Sequence, residues 1–201
     1  MANKKLLGYK MIRAFIALEL KDTPTIESIK TFTSRLLQNQ NKIKVVEPEN
    51  LHLTVKFLGN ISESLAPKIY RILHEEVNQK LIGNTIMEYH LVGAGQFNKF
   101  SVLWIGLKGN IEFLQKIKDT VEVQLYSQLK VQRDNRPQFK PHLTIGRLKS
   151  NKIDYKKFDT FKKIFSEYKQ KEFGTFSISQ IKMKKSELTQ KGPIYSDLEY
   201  I

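Results

Sequence analysis

The tripeptide His-Leu-Thr occurs twice in this chain, as His52-Leu53-Thr54 and His142-Leu143-Thr144, and a β-branched residue, Val55 or Ile145, follows each copy. Such runs favour strands. Successive strand side chains alternate faces, so each copy presents an imidazole and a hydroxyl side by side. The two copies lie ninety residues apart (142 − 52), about half of the 201-residue chain. That period is too long for a solenoid. It predicts an α+β fold of two pseudo-symmetric lobes, each a small antiparallel sheet backed by helices, with the active-site cleft between them.

The remaining pattern fits two such lobes. A first strand is expected over residues 13–20. Thr23 and Pro24 then mark a helix start, with Ile26, Ile29, Phe32 or Thr33, Leu36 and Leu37 at helical spacing. The first motif strand spans 51–58 and ends at Gly59-Asn60. Ser62 or Ser64 caps a second helix. A strand pair over 86–92 and 101–107 is joined by a loop at 93–99. Asn110 caps a helix that carries Leu114, Ile117, Val121 and Leu125. The second motif strand spans 139–148. A helix near 158–168, a late strand near 176–183 and a turn at Gly192-Pro193 complete the plan. Residues 1–10 read as an extension, and 11–201 as one bilobal domain.

Formal charge narrows the partners. The chain carries +14 with a pI near 9.8, an excess that favours polyanions, RNA or DNA before membranes. Eight lysines crowd 149–171 against Asp154, Asp159 and Glu167. That run reads as a solvated helix face, with an RNA track as the alternative. Absence of cysteine excludes disulfides, thiolate nucleophiles and cysteine-ligated zinc. The first apolar run, 11–18, is too short to span a membrane and lacks a signal-peptide pattern. A soluble, cytoplasmic monomer is the expectation.

Two imidazoles and two hydroxyls in one cleft suit phosphodiester hydrolysis. One group must take a proton from water, another must protonate the leaving oxygen, and donors must hold the non-bridging oxygens as charge builds. Histidine titrates near working pH and serves the first two roles, while Thr54 and Thr144 serve the third. Lys56 is an even step from His52 and should share its face. Arg147, five residues after His142, falls on the opposite face of a regular strand, unless a bulge or strand end near Gly146 redirects it. Tyr195 and Phe139 are candidates to stack on a base, although Phe139 reads first as a core residue. His74 and His90 read as non-catalytic, and no His-Glu-x-x-His pattern occurs, so neither metal nor cofactor is expected.

The segment Glu47-Pro48-Glu49-Asn50-Leu51-His52-Leu53-Thr54-Val55-Lys56-Phe57-Leu58-Gly59 resembles the first motif of the two-histidine phosphoesterases. Arg136-Pro137-Gln138-Phe139-Lys140-Pro141-His142-Leu143-Thr144-Ile145-Gly146-Arg147 resembles the second. Similar stretches occur at 13–19, 102–107, 185–188 and 192–195. The match is nearest to the RNA 2′,3′-cyclic phosphodiesterases, also called the 2′-5′ RNA ligase family. The resemblance implies a bilobal α+β fold and metal-free opening of RNA 2′,3′-cyclic phosphates to 2′-phosphomonoesters. It makes His52 the proton donor to the leaving 3′ oxygen and His142 the proton acceptor. The reverse reaction, with an RNA 5′-hydroxyl in place of water, would make a 2′-5′ linkage. Where the family often has a proline-arginine step, this chain has Phe97-Asn98-Lys99-Phe100-Ser101. Two other readings stay open: an RNA-end-binding module without significant turnover, and a phosphodiesterase for a small cyclic phosphate such as ADP-ribose 1″,2″-cyclic phosphate.

Overall fold

The structure is a computed structural model that describes residues 10–135, 138–190 and 192–200. Most of the expected N-terminal extension, and Arg136 and Pro137 of the second motif, lie outside the described residues. In chain order the elements are β1 (Met11–Glu19), α1 (Thr23–Leu37), β2 (Lys44–Val45), β3 (His52–Ser62) and α2 (Ala66–Ile72), which runs on as a π-helical segment, Leu73–Ile82. Then come β4 (Met87–Phe97), β5 (Val102–Lys108), α3 (Ile111–Leu129), β6 (His142–Arg147), α4 (Phe158–Glu167), β7 (Glu172–Ile178), β8 (Lys182–Leu188) and β9 (Pro193–Asp197).

The strands run β7-β4-β5-β6-β3-β1-β8-β9, every pairing antiparallel. The order reads as two four-stranded halves meeting back to back at the motif strands β6 and β3, which is the bilobal α+β arrangement expected. The halves join through a single residue pair, Leu53 with Leu143. Past it, the β6 edge is taken by β2, through Val45 with Gly146 and Lys44 with Arg147. The two halves therefore splay apart and leave a cleft above the join.

The lobes are not the two halves of the sequence. One lobe is β1, β3, β8 and β9; the other is β4, β5, β6 and β7. Helices cross over as well. α1 follows β1 but packs on β7, β6 and α4 of the other lobe, whereas α3 packs on β3, α2 and the π-helical segment. Phe32 of α1 is buried among Phe165, Tyr168 and Phe173, which fixes that crossover. The approach is close: a Cβ on Gly174 of β7 would fall 2.0 Å from the Thr25 hydroxyl.

Several local expectations are corrected. The cap of α1 is Asp22, one residue before Thr23; its carboxylate accepts from the Thr25 N–H at 2.9 Å, and Pro24 sits in the first turn. Neither Ser62 nor Ser64 caps α2, because β3 runs on to Ser62 and a short 3-10 turn, Glu63–Leu65, leads into the helix. The two hydroxyls bond each other at 2.7 Å instead. Asn110 does cap α3, accepting from the Phe113 N–H at 3.1 Å. The loop expected at 93–99 belongs to β4 as far as Phe97, and the single late strand is two strands in different lobes, β7 beside β4 and β8 beside β1, with β9 unforeseen.

Gly95 of β4 lies opposite Trp104 of β5, and the indole lies over its backbone. A Cβ there would fall 2.1 Å from the ring. Gly95→Ala is expected to destabilise the protein by about 1–3 kcal/mol through overpacking, read as a lower urea midpoint at unchanged slope. An unchanged midpoint would show that the indole moves freely.

Candidate active site

His52 opens β3 and His142 opens β6, and both side chains are partly exposed in one cleft of about 1070 Å³. Antiparallel register through Leu53 and Leu143 sets His52 opposite Thr144 and Thr54 opposite His142. All four line the cleft, together with Phe139, Arg147 and Tyr195.

Each imidazole is held the same way. The Asn50 carbonyl accepts from His52 Nδ1 at 2.6 Å, and the Lys140 carbonyl accepts from His142 Nδ1 at 2.7 Å. A carbonyl accepts only, so each Nδ1 carries the hydrogen and each Nε2 is left as the working nitrogen. The Thr54 hydroxyl lies 3.1 Å from His52 Nε2. Aromatic rings brace both: Phe15 and Tyr195 lie 4.9 and 5.4 Å from the His52 ring, and Phe97 and Trp104 lie 5.1 and 6.2 Å from the His142 ring.

The surroundings of His52 are charged. Burial pulls the His52 imidazole below its ordinary value; the Asn50 carbonyl opposes this, and the nearby Lys184 cation adds to the lowering. Lys184 shares the β8 position opposite Phe15 and pairs with Glu19 and Asp197, and Lys182 lies 3.0 Å from Glu19. Burial pushes the Glu19 carboxyl up, but hydrogen bonds from Lys184 and Lys182 outweigh it and hold the group below its usual range. The result is a fixed ionic cluster on the strand beside His52.

Lys56 corrects the sequence reading. Ala17 faces Thr54 and Ile16 faces Lys56, so Val55 is an extra residue, a β-bulge. It turns Lys56 onto the opposite face, away from the cleft. There its ammonium is buried, donating to Glu122 at 2.7 Å and to the Gln132 carbonyl at 2.8 Å. Lys118 donates to the same carboxylate at 2.9 Å, and the Asp134 N–H at 3.2 Å. Ile145 is the matching bulge in β6, since Trp104 faces Thr144 and Leu103 faces Gly146. It brings Arg147 onto the cleft face, the alternative that a bulge allowed. The same turn places Phe57 in the cleft, 60% exposed. The sequence reading missed Phe57 and also Phe97, although both stand inside segments already singled out.

His74 bonds Gln79 and stacks on Tyr70, and His90 pairs with Glu172 on the exposed face of β4, both outside the cleft. Among the described residues no group of three or more His, Cys, Asp or Glu is arranged to hold a metal ion. No helix among them is long and apolar enough to cross a membrane.

A family model, the AKAP7 2′5′ RNA ligase-like domain, matches residues 14–200. The chain belongs to the 2′-5′ RNA ligase-like family. Curated relatives agree with that placement. A Methanothermobacter thermautotrophicus protein named RNA 2′,3′-cyclic phosphodiesterase is 31% identical over 192 residues, covering 94% of this chain and 97% of its own. A Methanocaldococcus jannaschii protein of the same name is 35% identical over 189 residues, covering 92% and 96%. Among solved structures, LigT of E. coli in its apo form superposes with a TM-score of 0.68 at 21% identity, covering 94% of this chain and 96% of its own. A protein from Thermus thermophilus superposes at 0.70, also at 21% identity, with the same coverage. These likenesses show that the bilobal sheet is the fold of the 2′-5′ RNA ligase-like family.

In this member the buried ions under β3 also fasten the approach to the second motif. Gln132 and Asp134 bond Lys56 and Glu122, and the Lys118 ammonium lies 5.7 Å from the Phe139 ring centre. Burial pushes the Glu122 carboxyl up, but Lys56 and Lys118 override it and hold the group low. Glu122→Gln leaves two buried ammonium groups short of their counter-charge and is expected to cost about 3–5 kcal/mol, measured by denaturant unfolding. A cost near zero would show that the cluster is solvated.

Proposed function

We propose that this chain hydrolyses RNA 2′,3′-cyclic phosphate ends to 2′-phosphomonoesters by metal-independent two-histidine catalysis. The observation that carries the reading is the paired Nδ1 anchoring, which leaves two Nε2 atoms and two threonine hydroxyls for one cleft. The family membership and the names of the curated relatives support the substrate class.

In the proposed reaction, His142 Nε2 takes a proton from water as the water oxygen attacks phosphorus. The bond from phosphorus to the ribose 3′ oxygen breaks, and protonated His52 gives its Nε2 proton to that oxygen. Thr54 and Thr144 donate to the non-bridging oxygens, and Arg147 adds a fixed positive charge. Phe139 and Tyr195 offer faces for the terminal base. Read backwards, with a 5′-hydroxyl replacing water, the same steps join two RNA ends by a 2′-5′ bond.

The donor role of His52 rests on the resemblance, and burial alone works against it, since burial favours the neutral ring. A bound phosphate anion restores the balance, because a nearby negative charge stabilises imidazolium. The sign of the pH dependence follows. His52 must be protonated, so kcat/KM should fall with rising pH from below the ordinary imidazole value of about 6.5. In the saturated complex that limb should move to higher pH. Coincident alkaline limbs for kcat and kcat/KM would contradict this account.

The direct assay uses an oligonucleotide ending in a 2′,3′-cyclic phosphate, in excess EDTA. Conversion to the 2′-phosphate is the expected result. A 3′-phosphate product would exchange the leaving oxygen and overturn the donor assignment, and a requirement for added metal would overturn the mechanism. His52→Ala and His142→Ala should each lose about 10²–10⁴-fold in kcat while staying folded.

A further inference from the structure

The lysine-rich run at 149–171 is divided by the fold. Lys162 and Lys163 ride on α4, in the helix layer. Lys149, Lys152, Lys156 and Lys157 instead belong to the segment that leaves the cleft directly after Arg147. That segment is fixed in place. The side chain of Gln40, only 1% exposed, donates to the Asp154 carbonyl at 2.8 Å and accepts from the Asp154 N–H at 2.9 Å. The Leu148 N–H bonds the Ser101 carbonyl, and buried Leu148 with half-buried Ile153 faces the core. Gln40 begins the short turn to Ile43 and Lys44, which line the cleft, so the segment is tied to the cleft rim.

All four lysines are exposed, and among the described residues none of their ammonium groups pairs with a carboxylate; Asp154 accepts only from the Lys156 backbone N–H, at 3.0 Å. Where the track meets the cleft, Lys44 of β2 stands directly opposite Arg147 of β6, and both line the cavity. Like charges facing each other across a ladder destabilise it, unless an anion lies between them. Glu47 and Glu49 also line the cleft, in the turn that leads from β2 to His52.

We infer that the rim segment 149–157, continuous with Lys44 and Arg147, is a phosphate-backbone track for the RNA body upstream of the reacting end. This inference rests on the proposed RNA substrate. The cleft reads the terminal nucleotide, and the rim holds the nucleotides before it. Phosphates neutralised by lysine release counterions, and for a single strand the slope of log affinity against log salt is about −0.7 per contact.

The test replaces Lys149, Lys152, Lys156 and Lys157 together by Gln. A second variant, with Lys68, Arg71, Lys80 and Lys116 replaced by Gln, removes equal charge from the helices of the other lobe. Binding of a twelve-nucleotide RNA with a 2′-phosphate end is measured by anisotropy from 50 to 300 mM salt. Turnover of a mononucleoside 2′,3′-cyclic phosphate is measured alongside. The rim variant should bind at least tenfold more weakly at low salt, with a salt slope shallower by about 2–3, and should keep wild-type mononucleotide turnover. The second variant should bind like wild type. Equal weakening by both variants would reduce the effect to net charge and overturn the track, as would unchanged binding by the rim variant. Loss of mononucleotide turnover in the rim variant would also overturn it, because the substitutions would then act on the cleft. Equal affinity of wild type for a heparin fragment would make the rim a general polyanion surface and overturn its assignment to RNA. Binding needs no chemistry, so failure of wild type to open the cyclic mononucleotide would count against the proposed reaction alone.

Discussion

One ladder contact, Leu53 with Leu143, holds the arrangement together. Both side chains are completely buried, and they form the only register pair described between the two motif strands. Because the strands are antiparallel, this pair places each histidine across from the other copy's threonine. A slip of one residue would invert one strand against the other and turn its imidazole from the cleft into the core. The cleft exists because the pairing stops there: β2 takes over the β6 edge, and the sheets diverge.

Pseudo-symmetry brings like groups together, and their surroundings make them unlike. His52 lies between Phe15 and Tyr195 beside the ionic cluster of Glu19, Lys182, Lys184 and Asp197. His142 lies between Phe97 and Trp104. The bulges sharpen the contrast. They occur at the same step after each histidine, and the residue that each returns to the cleft is Phe57 on one side and Arg147 on the other. An acid and a base drawn from identical side chains need this kind of difference, since environment is what separates their proton affinities.

Much of this was legible in the sequence. Twin motifs at half-chain spacing indicated two lobes, a shared cleft and the four central side chains. The rest was hidden for identifiable reasons. A bulge leaves no mark in side-chain alternation, so Lys56 was placed on the wrong face and Phe57 was overlooked. β8 reads Lys-Met-Lys-Lys-Ser-Glu-Leu, and its lysines hide a strand in which Lys182 and Lys184 are neutralised by Glu19 and Asp197, and Lys185 by Glu187. The crossing of α1 to the far lobe depends on Gly174 and Thr25, 149 residues apart (174 − 25), a contact that no local pattern announces.

The interleaving of the lobes bears on how the chain folds during synthesis. β1 and β3 emerge first, but β1 needs β8, and β8 needs β9, from the last tenth of the chain. Meanwhile α1, made early, packs on β7, which is made late. Neither lobe can close before most of the polypeptide is available, and pairings of such long sequence separation form slowly. The nascent first half therefore waits with its apolar strands exposed, an aggregation-prone state of the kind that chaperones exist to shield.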